Sequence, residues 1–344
     1  MRKEVLAVGC GLMVFCGCGK NNAAQHYESG WAAMEKKDYT TAVNEFQQVI
    51  DQNSKLAESY RAEGIAYYSE KAYPEAIAAF SRSLNNMDDP DKEFKKDVQF
   101  YLAQARMDYG EVDKAIEVYS EILKAGEDEQ AFFLRGKAYI SMEDYKNAEK
   151  DFQRALEGCE DYNLYINIYQ IYVDHNKAVD GDAYLKMALE LEPQDGEDCY
   201  HRGRIYEYEK NYEAARDELK TAMEQGYEDA MLLLGRVYLE MEDPASARSM
   251  YQEYLQKSEQ GAKAYNGLAM CDIYDGAYDS ALENIAQGLK ENSKEDEQGL
   301  LYNEIVAYEY KRDFATAKEK MKIYLEQYPE DEAALRENEF LSTR

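Results

Sequence analysis

The sequence is short of most things that would give it chemistry. Five prolines in 344 residues leave long stretches free to be helical, since proline is the residue a helix interior tolerates least. There are three histidines: His26 and His201 fall in expected helices and His175 in a turn, so no two sit at ligand spacing and each reads as a surface or satisfied histidine. Of six cysteines, Cys10, Cys16 and Cys18 crowd the N-terminus, while Cys159, Cys199 and Cys271 are scattered singly through segments expected to be helical. That pattern makes neither a disulfide framework nor a metal site, and the scattered three read as small core hydrophobes. No G-x-S-x-G, H-E-x-x-H, phosphate loop or dinucleotide fingerprint follows the N-terminal segment. Asp174-His175-Asn176 before Asp180-Gly181-Asp182 looks superficially like a calcium loop, but its glycine comes at position eight instead of six and the closing glutamate is missing. Positive charge is scarce too: 40 Lys and Arg against 69 Asp and Glu give a net charge of −29. That balance excludes binding to nucleic acid and adsorption to anionic lipid, and biases partners toward neutral or basic surfaces.

Hydrophobic runs are nearly absent. Met1-Arg2-Lys3 is basic, and Val5 to Phe15 is an apolar stretch of about eleven residues, too short to span a bilayer and the right length for the core of a signal peptide. Phe15-Cys16-Gly17-Cys18-Gly19-Lys20 resembles a bacterial lipobox, with a small residue before the cysteine and the polar Lys20-Asn21-Asn22 after it. The resemblance implies residues 1–17 as a lipoprotein signal peptide, Cys18 as the diacylated first residue, and 18–22 as a lipidated tether within a polar stretch reaching residue 25. Cys10 is the rival, although cleavage there would leave apolar Leu12 to Phe15 on the mature chain; a secretory signal without lipid is the third reading. Acyl chains would then be the sole anchor. Losing residues 1–17 removes Arg2, Lys3 and Glu4, a net +1, and takes the charge from −29 to −30.

What the chain does have is a repeating pattern, seen most clearly from Glu129 to Asp161. Phe132, Tyr139 and Ile140 recur at helical spacing, Glu143-Asp144 interrupts, and Ala148, Phe152, Ala155 and Leu156 resume the pattern, which predicts a helical hairpin. Gly136 lies inside the first helix, where glycine costs about 1 kcal/mol relative to alanine; a close backbone approach by Ala148 is the expected compensation. Aligned on this hairpin, units start near residues 23, 57, 96, 129, 162, 196, 228, 262 and 298. Position 8 is Gly30, Gly64, Ala103, Gly136, Gly203 or Gly235; position 11 is Tyr67, Tyr139, Tyr172, Tyr206, Tyr238 or Tyr308; position 20 is Ala42, Ala76, Ala115, Ala148, Ala215, Ala247, Ala281 or Ala317; position 24 is large. Small residues at 8 and 20, aromatics at 11, 17 and 24, and a period of about 34 residues resemble the tetratricopeptide repeat (TPR). A tyrosine stripe at one hairpin position is packing, which accounts for much of the total of 32 tyrosines.

The resemblance implies an all-α, right-handed α-solenoid, a TPR superhelix of about nine hairpins over residues 23–331, closed by a capping helix and tail at 332–344 whose outer face is polar at Glu332, Arg336 and Glu337. Pro74 and Pro244 fall where second helices should begin, and Pro193 and Pro329 close their units. Three departures stand out. The fifth unit has Tyr169 at position 8 and Gly181 at position 20, so its small residue has changed helix; the eighth has Ala269 at position 8 in a register that could slip by two; and Asp88-Asp89-Pro90-Asp91 lengthens a loop, either a hinge or boundary or a solvated insertion.

In the family, positions 2, 5, 9, 12 and 13 of each first helix line the concave groove. Carried onto this sequence, they nominate the aromatics Tyr27, Trp31, Tyr68, Phe100, Phe133, Tyr200, Tyr208, Tyr274, Tyr302 and Tyr310, and the bases Arg61, Lys137, Arg204, Arg236 and Lys263. Exposed aromatics suit an extended peptide; the bases would either hold a ligand carboxylate or offset neighbouring glutamates. The family's carboxylate clamp is missing, because Tyr27/Trp31 and Arg61/Ile65 occupy its places. The expectation is a lipid-anchored cell-envelope scaffold, on the outer side of a cytoplasmic membrane or in a periplasm, that binds proteins or peptides without catalysis, cofactor or metal. The alternatives are a carbohydrate-binding or enzymatic envelope protein using groove aromatics and carboxylates, and a purely structural spacer.

Overall fold

The computed structural model describes residues 22–87, 91–258 and 260–344. Cys18, Cys10, the signal segment and Asp88 to Pro90 of the long loop lie outside the described residues. Among those described there are nineteen helices and no strands. They run as pairs: α1 (Asn22–Glu35) and α2 (Tyr39–Asp51), α3 (Leu56–Ser69) and α4 (Tyr73–Asn85), α5 (Lys92–Tyr109) and α6 (Val112–Ala125), α7 (Glu129–Ser141) and α8 (Tyr145–Ala155), α9 (Tyr162–Asp174) and α10 (Ala178–Leu189). The series continues with α11 (Gly196–Tyr208) and α12 (Tyr212–Glu224), α13 (Ala230–Glu240) and α14 (Pro244–Lys257), α15 (Ala262–Tyr274) and α16 (Tyr278–Lys290), α17 (Glu297–Tyr310) and α18 (Phe314–Gln327), and ends on the single α19 (Glu332–Ser342). The chain forms two compact units, one through Asp182 and one from Ala183 to Arg344. Each is an all-α solenoid in which helices pack on their sequence neighbours and first helices touch the next first helix, as α3 touches α5 and α13 touches α15.

One turn design makes every hairpin. A single left-handed residue ends the first helix: Lys37, Lys71, Gly110, Glu143, Asn176, Lys210, Glu242, Gly276 or Arg312. The following amide then reaches back to the closing turn, as Asp38 N–H does to the Ala33 carbonyl and Asp144 N–H to Tyr139, so carbonyls that the helix end leaves unpaired are satisfied. Next comes the cap of the second helix, where Asp38, Asp144, Asn211, Asp243 and Asp313 accept from the amide three residues on. Pro74 and Pro244 occupy the first turn of α4 and α14, where a missing N–H costs nothing.

Five of the hairpins close by setting a large side chain into the notch of a glycine on the first helix. A Cβ built on Gly30 would stand 2.5 Å from Phe46, on Gly64 2.6 Å from Phe80, on Gly203 2.6 Å from Leu219 and on Gly235 2.6 Å from Tyr251. Gly136 follows the same rule and corrects the expectation about Ala148: its nearest neighbour is the Phe152 ring, 2.7 Å from the added Cβ. Ala148 lies one turn earlier on the same helix face. All eight alanines of its row have 0% exposure, so that row admits no larger residue.

The departures resolve in the same terms. Gly181 faces Tyr169 and Tyr172, with an added Cβ 3.0 Å from each, so the notch has moved from α9 to α10 to take a ring from the first helix. In the eighth hairpin Ala269 shares a buried cluster with Ala281 and Ile285, which keeps the register without a slip; Gly267, two residues earlier, instead receives Tyr251 of the preceding hairpin. The third unit begins at Lys92, before residue 96, because α5 is extended at its start by the Asp91 side-chain cap. The division between the two units falls inside α10 and not at the long loop. Helix α1 starts at Asn22 and takes in residues 22–25 of the expected tether.

Two further expectations need correcting. Cys159 sits between α8 and α9 and not in a helix, while Cys199 and Cys271 are buried. Glu337 is not fully on the outer face of α19: Glu332 and Arg336 are exposed, but Glu337 is half-buried near Glu309 of α17. One oxygen of Glu309, Oε1, is buried without a hydrogen-bond partner. Burial first, and the Glu337 carboxylate second, push the Glu309 acid up to about 7.

Candidate functional site

The second unit contains a cavity of about 950 Å³ walled by the first helices α13, α15 and α17 and by the segments leading into α15 and α17. Its floor is apolar, built from Leu232, Leu233, Leu239 and Met270, with Tyr200 at one side and the buried Tyr251 beneath. Glycine helps to open it: Gly299 on α17 has only Asn266 Nδ2 nearby, 3.4 Å from where its Cβ would be. Asn303 donates from its amide to Asn266 Oδ1 at 2.8 Å, tying α17 to α15 across the wall. These residues share the space because successive first helices stand side by side, and the Tyr251 ring that fills the Gly235 and Gly267 notches forms part of its wall.

The charges around the cavity are unevenly matched. Arg236 is 59% exposed and is committed to Glu207, with Nε 2.6 Å from Oε1 and Nη2 2.7 Å from Oε2. Lys263 stands 3.7 Å from Glu295 and 4.0 Å from Asp296, and Asp296 accepts from Ser293 Oγ at 2.6 Å. Asp229, Glu240 and Glu291 also line the cavity, and among the described residues none of the three makes an ion pair. Tyr212 donates to Glu240 at 3.2 Å and Tyr254 to Asp229 at 3.4 Å. Burial raises the Tyr200 phenol, and its ring lies 4.9 Å from Tyr227. Among the described residues no group of His, Cys, Asp and Glu could hold a metal ion. The Cys271 thiol, pushed up to about 11 by burial, is a poor nucleophile. An arrangement of this kind, with an apolar floor, three side-chain amides and a carboxylate rim, can recognise shape and charge.

Family models described as tetratricopeptide repeat match residues 27–91, 129–161, 200–262 and 232–297, together more than half of the chain. The chain belongs to the tetratricopeptide repeat family. No curated protein sequence matches it. Similar solved structures include YrrB, a TPR protein with an unusual peptide-binding site, 26% identical over 55% of this chain and 97% of its own, with a TM-score of 0.36. Yeast Tom70 is 15% identical, covers 89% of this chain and 78% of its own, and has a TM-score of 0.49. A TPR protein from Parabacteroides merdae is 16% identical over 83% and 99%, with a TM-score of 0.45.

Set in the TPR register, the nominated residues separate by environment. In the first unit, Trp31 rests on Phe46 with ring centroids 5.5 Å apart and an edge contact to Tyr27, Phe100 meets Tyr119 at 6.3 Å, and Phe133 meets Phe152 at 6.1 Å. These aromatics are half-buried partners of the large ring on the second helix, which fills a glycine notch in the hairpins of Trp31 and Phe133 and faces Ala103 in that of Phe100. Arg61 is ion-paired to Asp97, and Tyr68 donates to Asp108 at 2.5 Å; Lys137 is exposed. In the second unit, the cavity brings together Tyr200, Arg236 and Lys263. Arg204 lies over the Tyr200 ring, Tyr302 packs on Tyr324, and Tyr208 is half-buried outside the cavity lining. Tyr274 is 53% exposed, and Tyr310, 60% exposed, stacks on Tyr278. Asp229, Leu232, Asn266 and Met270 were missed by selecting only aromatic and basic residues. They occupy the same TPR groove positions, so the register alone could have found them.

Proposed function

We propose that this TPR protein is a lipid-anchored scaffold of the bacterial cell envelope that holds a protein or peptide segment in the groove of its first helices and performs no catalysis. The observation that carries the reading is the 950 Å³ cavity, whose lining includes groove positions of three successive first helices. It is large enough for several side chains. Support for the anchor comes from the sequence alone: the basic n-region, the short apolar run and the lipobox ending in Cys18. Among the described residues no helix is long and apolar enough to cross a membrane, so on this reading acyl chains at Cys18 hold the array at the extracytoplasmic face.

Two experiments test it. Met270→Trp would fill the cavity, whereas Met187→Trp places the same bulk on exposed α10; crosslinked envelope partners should disappear only in the first, and identical partner sets in both would sink groove binding. Labelled fatty acid should be lost in Cys18→Ser. Retention of label there would refute the anchor.

A further inference from the structure

We propose that the cavity between α13, α15 and α17 takes a cationic segment, an extended stretch of a partner chain that presents lysine or arginine side chains. The inference rests on the groove-binding reading and adds the chemistry of the occupant. Its first ground is the charge left over once internal pairs are removed. Arg236 spends both Nε and Nη2 on Glu207, and Lys263 is shared between Glu295 and Asp296. Asp229, Glu240 and Glu291 remain facing the same space with no ion pair among the described residues. A carboxylate on a ligand would find no free base there, and a cation would find three unmatched acids.

The second ground is shape. Asp229 and Glu240 each accept one hydrogen bond from a tyrosine hydroxyl, Tyr254 and Tyr212 respectively, which orients the carboxylates and leaves lone pairs toward the cavity. Between them runs the apolar floor of Leu232, Leu239 and Met270. A lysine or arginine side chain matches that pattern, because its aliphatic stem covers apolar surface while its charged head reaches a polar rim. A bare metal ion would gain nothing from the floor. The net charge of −29 would in addition steer a basic partner and repel an acidic one.

The test is fluorescence anisotropy on the full chain in detergent, using three labelled peptides of about twelve residues that alternate alanine with lysine, glutamine or glutamate, enough to span several groove positions. The lysine peptide should bind at least about tenfold more tightly than the glutamine peptide. Asp229→Asn/Glu240→Gln/Glu291→Gln should lose that advantage. A control triple, Glu283→Gln/Glu319→Gln/Glu326→Gln, makes the same change in net charge at exposed sites on second helices and should keep it, with circular dichroism confirming that both triples fold. Equal losses in the two triples would overturn the proposal, since the whole-molecule field would then account for binding. Glutamine and lysine peptides binding alike, and both blocked by Met270→Trp, would overturn it while leaving the groove reading standing. If no peptide binds and envelope crosslinks ignore Met270→Trp, both fall.

Discussion

Replacing Gly136 by alanine should destabilise the first unit, although alanine is the better helix former. The added Cβ would lie 2.7 and 2.8 Å from two ring atoms of Phe152, against an ordinary carbon contact of about 3.5–4.0 Å. The ring has 0% exposure, so it must shift by about 1 Å in an interior packed to crystal density, which costs about 1–3 kcal/mol. The helix gains about 1 kcal/mol from alanine, leaving a net loss of up to about 2 kcal/mol. Gly299→Ala is the matching experiment with the opposite sign: its Cβ would meet only Asn266 Nδ2 at 3.4 Å, so that variant should gain up to about 1 kcal/mol. Denaturant unfolding followed by helical circular dichroism reads both. Native-state amide exchange in α7 and α8 should accompany it, because a repeat array need not unfold in one step. Combining Gly136→Ala with Phe152→Val should cost less than the sum of the single changes, since each relieves the other. A Gly136→Ala protein as stable as its parent, with unchanged exchange in α7 and α8, would refute the notch argument.

Other outcomes follow from the same coordinates. Arg135 makes a two-pronged pair with Asp151, at 2.7 and 2.8 Å, and Asp151 is only 6% exposed in its side chain; Asp151→Ala leaves the half-buried guanidinium with Ser120 Oγ as its remaining hydrogen-bond partner and should cost about 2–3 kcal/mol in unfolding free energy. Lys71 holds φ at 62°, so Lys71→Gly should raise stability by about 0.5–1 kcal/mol, the left-handed penalty less the entropy of glycine. Glu309, with its acid raised to about 7, keeps its proton when folded and loses it when unfolded between about pH 4.5 and 7, so stability falls as pH rises through that window and the penalty is constant above it. Glu309→Gln should therefore match the parent near pH 4 and exceed it above pH 7, by about 1–2 kcal/mol after allowance for solvent screening at this half-exposed site; thermal melts at several pH values check it.

The hairpins were legible because their determinants are local. The alanine row, the glycine row and the prolines at second-helix starts repeat at one period, and a helical period states which residues share a face. It does not state which member of that face meets the neighbour: Ala148 and Phe152 are one turn apart, and the crossing of α7 over α8 selects the ring. The same limit hid Glu337, whose turn toward Glu309 depends on how α19 docks. The cavity was half legible, since Tyr200 and Arg236 were found by type, whereas Asn266 and Met270 look ordinary until three first helices are set side by side. Trp31 and Phe133 were legible as aromatics at groove positions, and only packing revealed that each leans on the ring in its own hairpin's notch.

Tyr251 belongs to two hairpins at once, seated between Gly235 of its own and Gly267 of the next. In a solenoid whose stability is a sum of repeat terms and neighbour terms, such a ring moves free energy out of the individual repeat and into the coupling. Neither α13 nor α15 can open without expelling the same side chain, so the segment from Ala230 to Tyr274 should exchange its amides as one cooperative block. The cavity that Tyr251 underlies is thus bounded by two helices that fluctuate together, and a ligand seated there meets a wall already organised before it arrives.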